Sequence, residues 1–198
     1  MPSPLGHILA GTAVYLTGTR RGSRSGLILS VTLLGSILPD CDFLPGILIG
    51  DLRTFHHGVS HSLALAVLFG LLIFFFSPRR EKDIALRAAI LAASAYASHV
   101  ILDLVSVNPG TRGVPMLWPL SAQQYGLELH LLGYFHYSDG GIWSVIRWDN
   151  VSALSRELVV IGSLVLLLLW RERRSTQRLA AHIPEVPHNK SDKLIGVL

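Results

Sequence analysis

Cysteine and charge are what this chain has least of. Its 198 residues include one cysteine, Cys41, and only 15% are charged. A lone cysteine excludes an internal disulfide and a zinc cage built from thiolates. Soluble domains carry about 25% charged residues, so this composition excludes an ordinary soluble domain. No basic stretch precedes the first apolar segment, so no cleavable signal peptide is expected. Neither an internal repeat nor a low-complexity tract is present. The net charge of +4 is not gathered into a nucleic-acid-binding surface. Its basic residues fall into short patches at Arg20/Arg21/Arg24, at Arg79/Arg80/Lys82 and at Arg171/Arg173/Arg174/Arg178. Nucleic acid is therefore not expected as a partner.

Half of the residues are hydrophobic, and they come in blocks rather than as an amphipathic scatter. That pattern predicts an integral membrane protein. Five apolar segments run from Leu5 to Thr19, Gly26 to Leu38, Ser62 to Phe76, Ile84 to Val107 and Leu154 to Trp170. The expected fold is all-α, a membrane bundle of about four to five apolar helices. A full span needs roughly 17–25 residues, so segments 5–19 and 26–38 are short. Pro39 ends the second segment. The loop 108–150 carries Trp118, Trp143 and Trp148 among glycines and prolines. It is too long for a plain connector, and its aromatic residues suit a lid or flap at the membrane–water interface. Residues 1–174 are read as one helical membrane domain and 175–198 as a polar, loosely ordered tail.

Each basic patch abuts an apolar segment, which reads as topological anchoring on the cytoplasmic side. Five alternating spans then put the loops 39–61 and 108–150 on the opposite, outer side of the inner (plasma) membrane, with the C-terminus cytoplasmic. On that outer side fall His7, Asp40 and Asp42, the run His56-His57-Gly58-Val59-Ser60-His61-Ser62, and His99 with Asp103. Ionisable groups at membrane depth are costly and signal a functional site. Imidazoles and carboxylates together are the ligands a divalent metal takes.

His99 and Asp103, four apart on a helix, project from one face and can grip one ion. His57 and His61 share that spacing if their helix starts early. Asp40 and Asp42 could both point inward from an extended turn. The expected metal ligands are His7, Asp42, His56, His61, His99 and Asp103. Asp40 and Asp42 are the candidate catalytic carboxylates, Asp40 orienting a ligand or acting as general base. Without thiolates, this nitrogen and oxygen set suits zinc, with manganese or iron as alternatives, as one or two ions.

These residues resemble the YdjM-type family of membrane-bound, metal-dependent hydrolases. The matching pieces are His7, Pro39-Asp40-Cys41-Asp42, His56 to Ser62, His99-Val-Ile-Leu-Asp103 and Leu117-Trp118-Pro119, over roughly Leu5 to Leu120. His57 stands where that family has arginine, and Ser60 where it has threonine. The order of ligands is also similar to zinc-dependent phospholipase C and related nucleases. By analogy this implies phosphoester chemistry at the membrane surface, with further ligands to be sought at Glu128, His130 and His136. The resemblance implies hydrolysis of a phosphoester or lipid-like substrate through a metal-activated water, membrane lipids being the surroundings. The oligomeric state is left open.

Two other classes compete. A metal-ion transporter or sensor would also place carboxylates and histidines in the membrane, but the cytoplasmic ends offer arginines rather than ligands. A structural membrane protein would use the same side chains to tie helices together. Single residues have plainer readings too. His7 could cap a helix, Asp40 a turn, and Ser60 and Ser62 the third apolar helix. No oxyanion motif accompanies those serines, which argues against a serine nucleophile. Cys41 reads as a small packing residue. Asp51, Asp139 and Asp149 read as solvated loop charges, and His182 and His188 as unrelated to the site.

Overall fold

The computed structural model describes residues 1–20, 24–49, 54–77, 82–107, 112–127, 129, 132–136 and 146–181. Asp51, Glu128, His130, Asp139, Trp143, His182 and His188 lie outside these residues. Among the described residues the regular structure is helical: α1 (Pro4–Gly18), α2 (Gly26–Ile37), α3 (Phe43–Ile49), α4 (Leu63–Phe76), α5 (Lys82–Leu104), α6 (Trp148–Glu157) and α7 (Ser163–Ala181). Each of the five apolar segments becomes helix. A π-helical turn, Leu158–Gly162, joins α6 to α7.

Local chemistry fixes the starts and stops. The Ser3 side chain accepts from the Gly6 N–H and Pro4 follows it, a hydroxyl cap with proline in the first turn. Ser62 caps α4 in the same way, accepting from the Leu65 N–H. The role given to Pro39 is corrected. It does not end the second segment but shifts it into a 3-10 turn, Leu38–Asp42, that leads into α3. The helical path Gly26–Gly46 then reaches 21 residues, long and apolar enough to cross a membrane, as are Lys82–Leu104 and Trp148–Gln177.

Helix α5 is the axis, with α1, α2 and α4 packed around it and α7 against α1. Its inward faces are lined by the buried alanines Ala88, Ala89, Ala92 and Ala95. Small residues let helix backbones close up where no hydrophobic effect drives them together. At Gly35 the approach is so tight that a Cβ would lie 2.6 Å from the Ala92 carbonyl oxygen. Large apolar residues such as Leu68, Leu71, Phe75, Leu166 and Leu167 face outward, as lipid contact requires.

The described part of the loop 108–150 folds back on the ends of α4 and α5. The Met116 carbonyl accepts from the Leu63 N–H at 3.0 Å, the Leu104 carbonyl from the Leu127 N–H at 2.6 Å, and Val114 pairs with Tyr125. At the opposite end of the bundle, Arg24 meets Glu172 at 2.7 Å, so two of the basic patches come together there.

Candidate metal centre

Three backbone devices aim the side chains. The α5 helix puts His99 and Asp103 one above the other, both fully buried. The 3-10 turn after α2 carries Asp40 and Asp42. A second 3-10 turn, Val59–His61, carries His61 just before α4. The close approach of α2 to α5 lets the Ser36 carbonyl accept from His99 Nδ1 at 2.8 Å. A carbonyl can only accept, so Nδ1 donates to it and Nε2 is the ring nitrogen turned inward.

His61 is aimed from its other side. Its Nδ1 lies 3.2 Å from Asp42 Oδ2, and Asp42 also accepts from the Ser60 hydroxyl at 2.9 Å and the Gly58 N–H at 3.3 Å. With its Nδ1 on a carboxylate, His61 also sends Nε2 inward. The two Nε2 atoms stand 3.3 Å apart. Asp103 Oδ2 is 3.2 Å from His61 Nε2 and 3.1 Å from His99 Nε2. Asp40 Oδ1 is 3.7 Å and 3.4 Å from the same two nitrogens.

Four ligand atoms, from Asp40, His61, His99 and Asp103, therefore surround one point. A tetrahedral ion with bonds of roughly 2.0–2.2 Å needs ligand atoms about 3.3–3.6 Å apart. The spacings above bracket that range. Asp40 Oδ1 and both Asp103 oxygens are buried without a well-formed hydrogen bond, only histidine nitrogens approaching them, and buried carboxylates are costly unless paired with positive charge. The residues present thus fit a divalent cation on both geometry and unmet polar demand. Burial opposes protonation of His61, yet its contacts with Asp103, Asp40 and Asp42 outweigh burial and hold its imidazole well above the ordinary histidine range. The cluster attracts positive charge.

His7 approaches from α1. Its ring stacks on His99 with centroids 3.6 Å apart. Its Nε2 lies 3.5 Å from Asp103 Oδ1, the carboxylate oxygen that does not face the other histidines. Neither ring nitrogen of His7 has a hydrogen-bond partner.

The structure rearranges several expectations. Asp40, expected only to orient or to act as base, joins the convergent four. Asp42, expected in the coordination shell, stands behind His61 and holds it. His56 does not reach the four either. It donates from Nδ1 to Asp42 Oδ1 at 3.1 Å and stacks on Phe43. His56 and His57 form with His61 a second group of close nitrogens. His57 and His61 are not on one helical face, because His57 sits in the left-handed region at φ 60° and α4 starts only at Leu63. The His57 Nδ1 faces the Arg112 carbonyl at 2.9 Å, and burial pushes its imidazole down to about 4. It is neutral at pH 7 and so does not supply the charge of the arginine that the resemblance implies at this position. Ser60 is not a helix cap, since its hydroxyl serves Asp42. Cys41 is exposed rather than packed. His136 lies on the segment held by Asn150 and is not among the convergent groups.

Sequence reasoning passed over Glu157. It is fully buried and binds Ser3 through the backbone N–H, at 2.7 Å, and through the hydroxyl. The available signal was its standing as the one carboxylate inside the apolar segment Leu154 to Trp170.

No solved structure matches this chain. The inner membrane protein YbcI of Escherichia coli (strain K12) is 32% identical over 148 residues, covering 72% of this chain and 75% of that protein. The family model described as YdjM inner membrane protein matches residues 1–177. With a family match over most of its length and helices suited to crossing the bilayer several times, the chain belongs to the YdjM inner membrane protein family.

Proposed function

We propose that this protein is a membrane-bound, metal-dependent hydrolase acting on a phosphoester or lipid-like substrate. The observation that carries the reading is the convergence of Asp40, His61, His99 and Asp103, whose ligand atoms lie within 4.8 Å of one another, the carboxylate oxygens being buried without a hydrogen bond. These residues would hold one divalent ion, zinc by preference for this nitrogen and oxygen set. His7, whose Nε2 lies 3.5 Å from Asp103 Oδ1, would add a further ligand. Asp42 and Ser36 orient His61 and His99, as outer partners of metal-binding histidines commonly do. A bound divalent ion supplies Lewis acidity and makes water a nucleophile at neutral pH.

The chain's own residues account for the rest. Among the described residues of the site, Asp40, Asp42 and His56 are slightly exposed while His7, His61, His99 and Asp103 are not, which favours an open edge at Asp40. Asp40 stands at that edge with Oδ1 buried, leaving Oδ2 to accept the proton of an attacking water. The water oxygen bonds to the phosphorus or acyl carbon, and the alcohol departs with the proton. The apolar helix α3 begins right after this edge, and its Leu48 is 87% exposed. A substrate with an acyl chain could lie on α3 with its polar head at Asp40, which favours an amphiphile. The basic patches gathered at the other end of the bundle favour an outward-facing site with a cytoplasmic C-terminus.

The test is elemental analysis of the detergent-purified protein, followed by a screen of phospholipids and phosphodiesters. Bound zinc or manganese, and turnover that stops in the His99→Ala and Asp103→Ala proteins, is the expected result. Folded variants that bind as much metal as the parent would overturn the assignment.

A further inference from the structure

We infer that Glu157 is the positioning residue that seats His7 in the metal centre, acting through Ser3. The inference rests on the metal-centre reading above for its consequence, but its geometry stands alone. Glu157 belongs to the span Trp148–Gln177, and a carboxylate at membrane depth needs a partner to justify its cost. Here the partner is the first turn of α1. Glu157 Oε1 accepts from the Ser3 N–H at 2.7 Å and Oε2 from the Ser3 hydroxyl. That hydroxyl in turn accepts from the Gly6 N–H at 3.2 Å, and the Ser3 carbonyl accepts from the His7 N–H at 3.2 Å. One carboxylate thus governs the cap from which His7 hangs, one helical turn further on. An acidic group at a helix N-terminus also suits the helix dipole. Nothing bulkier fits between them, since a Cβ at Gly6 would lie 2.8 Å from Glu157 Oε2.

Helix α6 is itself held so that Glu157 cannot drift. Asn150, Ala153 and Glu157, spaced as one helical face, are all buried. Asn150 grips the backbone of His136 twice, at 2.7 Å and 3.0 Å. At Gly133 a Cβ would lie 2.3 Å from Ala153 Cα. The outer segment 132–136 and the first turn of α1 are therefore pinned to the same face of α6. His7 has no hydrogen bond through its ring, so its place beside His99 and Asp103 depends on where α1 begins.

The test measures carbethoxylation of individual histidines by mass spectrometry in the full-length protein, with metal affinity measured in parallel. In the parent, His7, His61 and His99 are all fully buried and should label slowly. In Glu157→Ala, His7 alone should label at least about tenfold faster, and Glu157→Gln, which keeps one acceptor, should fall between. Ser3→Ala should resemble Glu157→Ala. Metal affinity should drop in Glu157→Ala by the same factor as in His7→Ala, and the double variant should be no worse than either. Unchanged His7 labelling in Glu157→Ala, Glu157→Gln and Ser3→Ala overturns the inference. Labelling of His61 and His99 rising together with His7 also overturns it, because that is general loosening. A parent protein that binds no metal but shows selective His7 exposure in these variants upholds the positioning role and removes the metal reading instead.

Discussion

At the scale of single residues, the two aspartates of the Asp40-Cys41-Asp42 turn have different work, and substitution separates them. Asp40→Asn removes a charge from the convergent four, whereas Asp42→Asn only weakens the grip on His61 Nδ1. Loss of an orienting partner typically costs about 10–100-fold in metal affinity. Asp42→Asn is expected within that range with metal content at saturation unchanged, and Asp40→Asn beyond it. Competition titration with a chromophoric chelator reads both, and equal losses would mean that the two carboxylates share one role. Acid adds a second residue-scale expectation. His61, drawn upward by its carboxylates, must surrender its proton before Nε2 can bind a cation, so metal binding releases protons and affinity rises with pH. Since the raised group stays protonated above the ordinary histidine range, affinity should still be climbing past pH 7. Isothermal titration in two buffers of different ionisation enthalpy gives the proton count, and a pH-independent affinity contradicts proton release from His61.

Between elements, the α2–α5 contact sets the aim of His99. Gly35→Ala puts a methyl group 2.6 Å from the Ala92 carbonyl oxygen, backbone that cannot rotate away. The helices must part, which typically costs about 1–3 kcal/mol, and the Ser36 carbonyl moves off His99 Nδ1. Thermal unfolding in detergent should show a lowered Tm, and metal affinity should fall with it although no ligand has changed. Much of this arrangement was legible in the chain. The apolar blocks gave the helices, and the spacing of His99 and Asp103 gave their common face. The division between Asp40 and Asp42 was hidden because it depends on turn type. In an extended turn residues two apart share a side, but a 3-10 turn has three residues per turn and sends them apart, so they clasp His61 from opposite sides. His57 was misread for a similar reason: nothing local announces that a non-glycine residue will take φ 60°. Glu157 lay hidden because its partner, Ser3, is 154 positions away.

The orientation of the whole molecule can be tested with its own single cysteine. Cys41 is exposed and sits between Asp40 and Asp42, at the open edge of the site. The basic clusters argue that this edge faces outward, because Lys and Arg residues flanking membrane helices are held on the cytoplasmic side. Arg24 and Glu172 meet at the far end of the bundle, so site and basic end belong to opposite surfaces. A membrane-impermeant maleimide added to intact spheroplasts should therefore label the protein, and the Cys41→Ser variant should give no signal because no other thiol exists. Bound metal should leave labelling unaffected in Asp103→Ala but slow it in the parent, since Cys41 stands between Asp40 and Asp42. Labelling that appears only after the inner face is opened would reverse the orientation, and with it the supply of substrate: an amphiphile would have to reach α3 from the cytoplasmic leaflet.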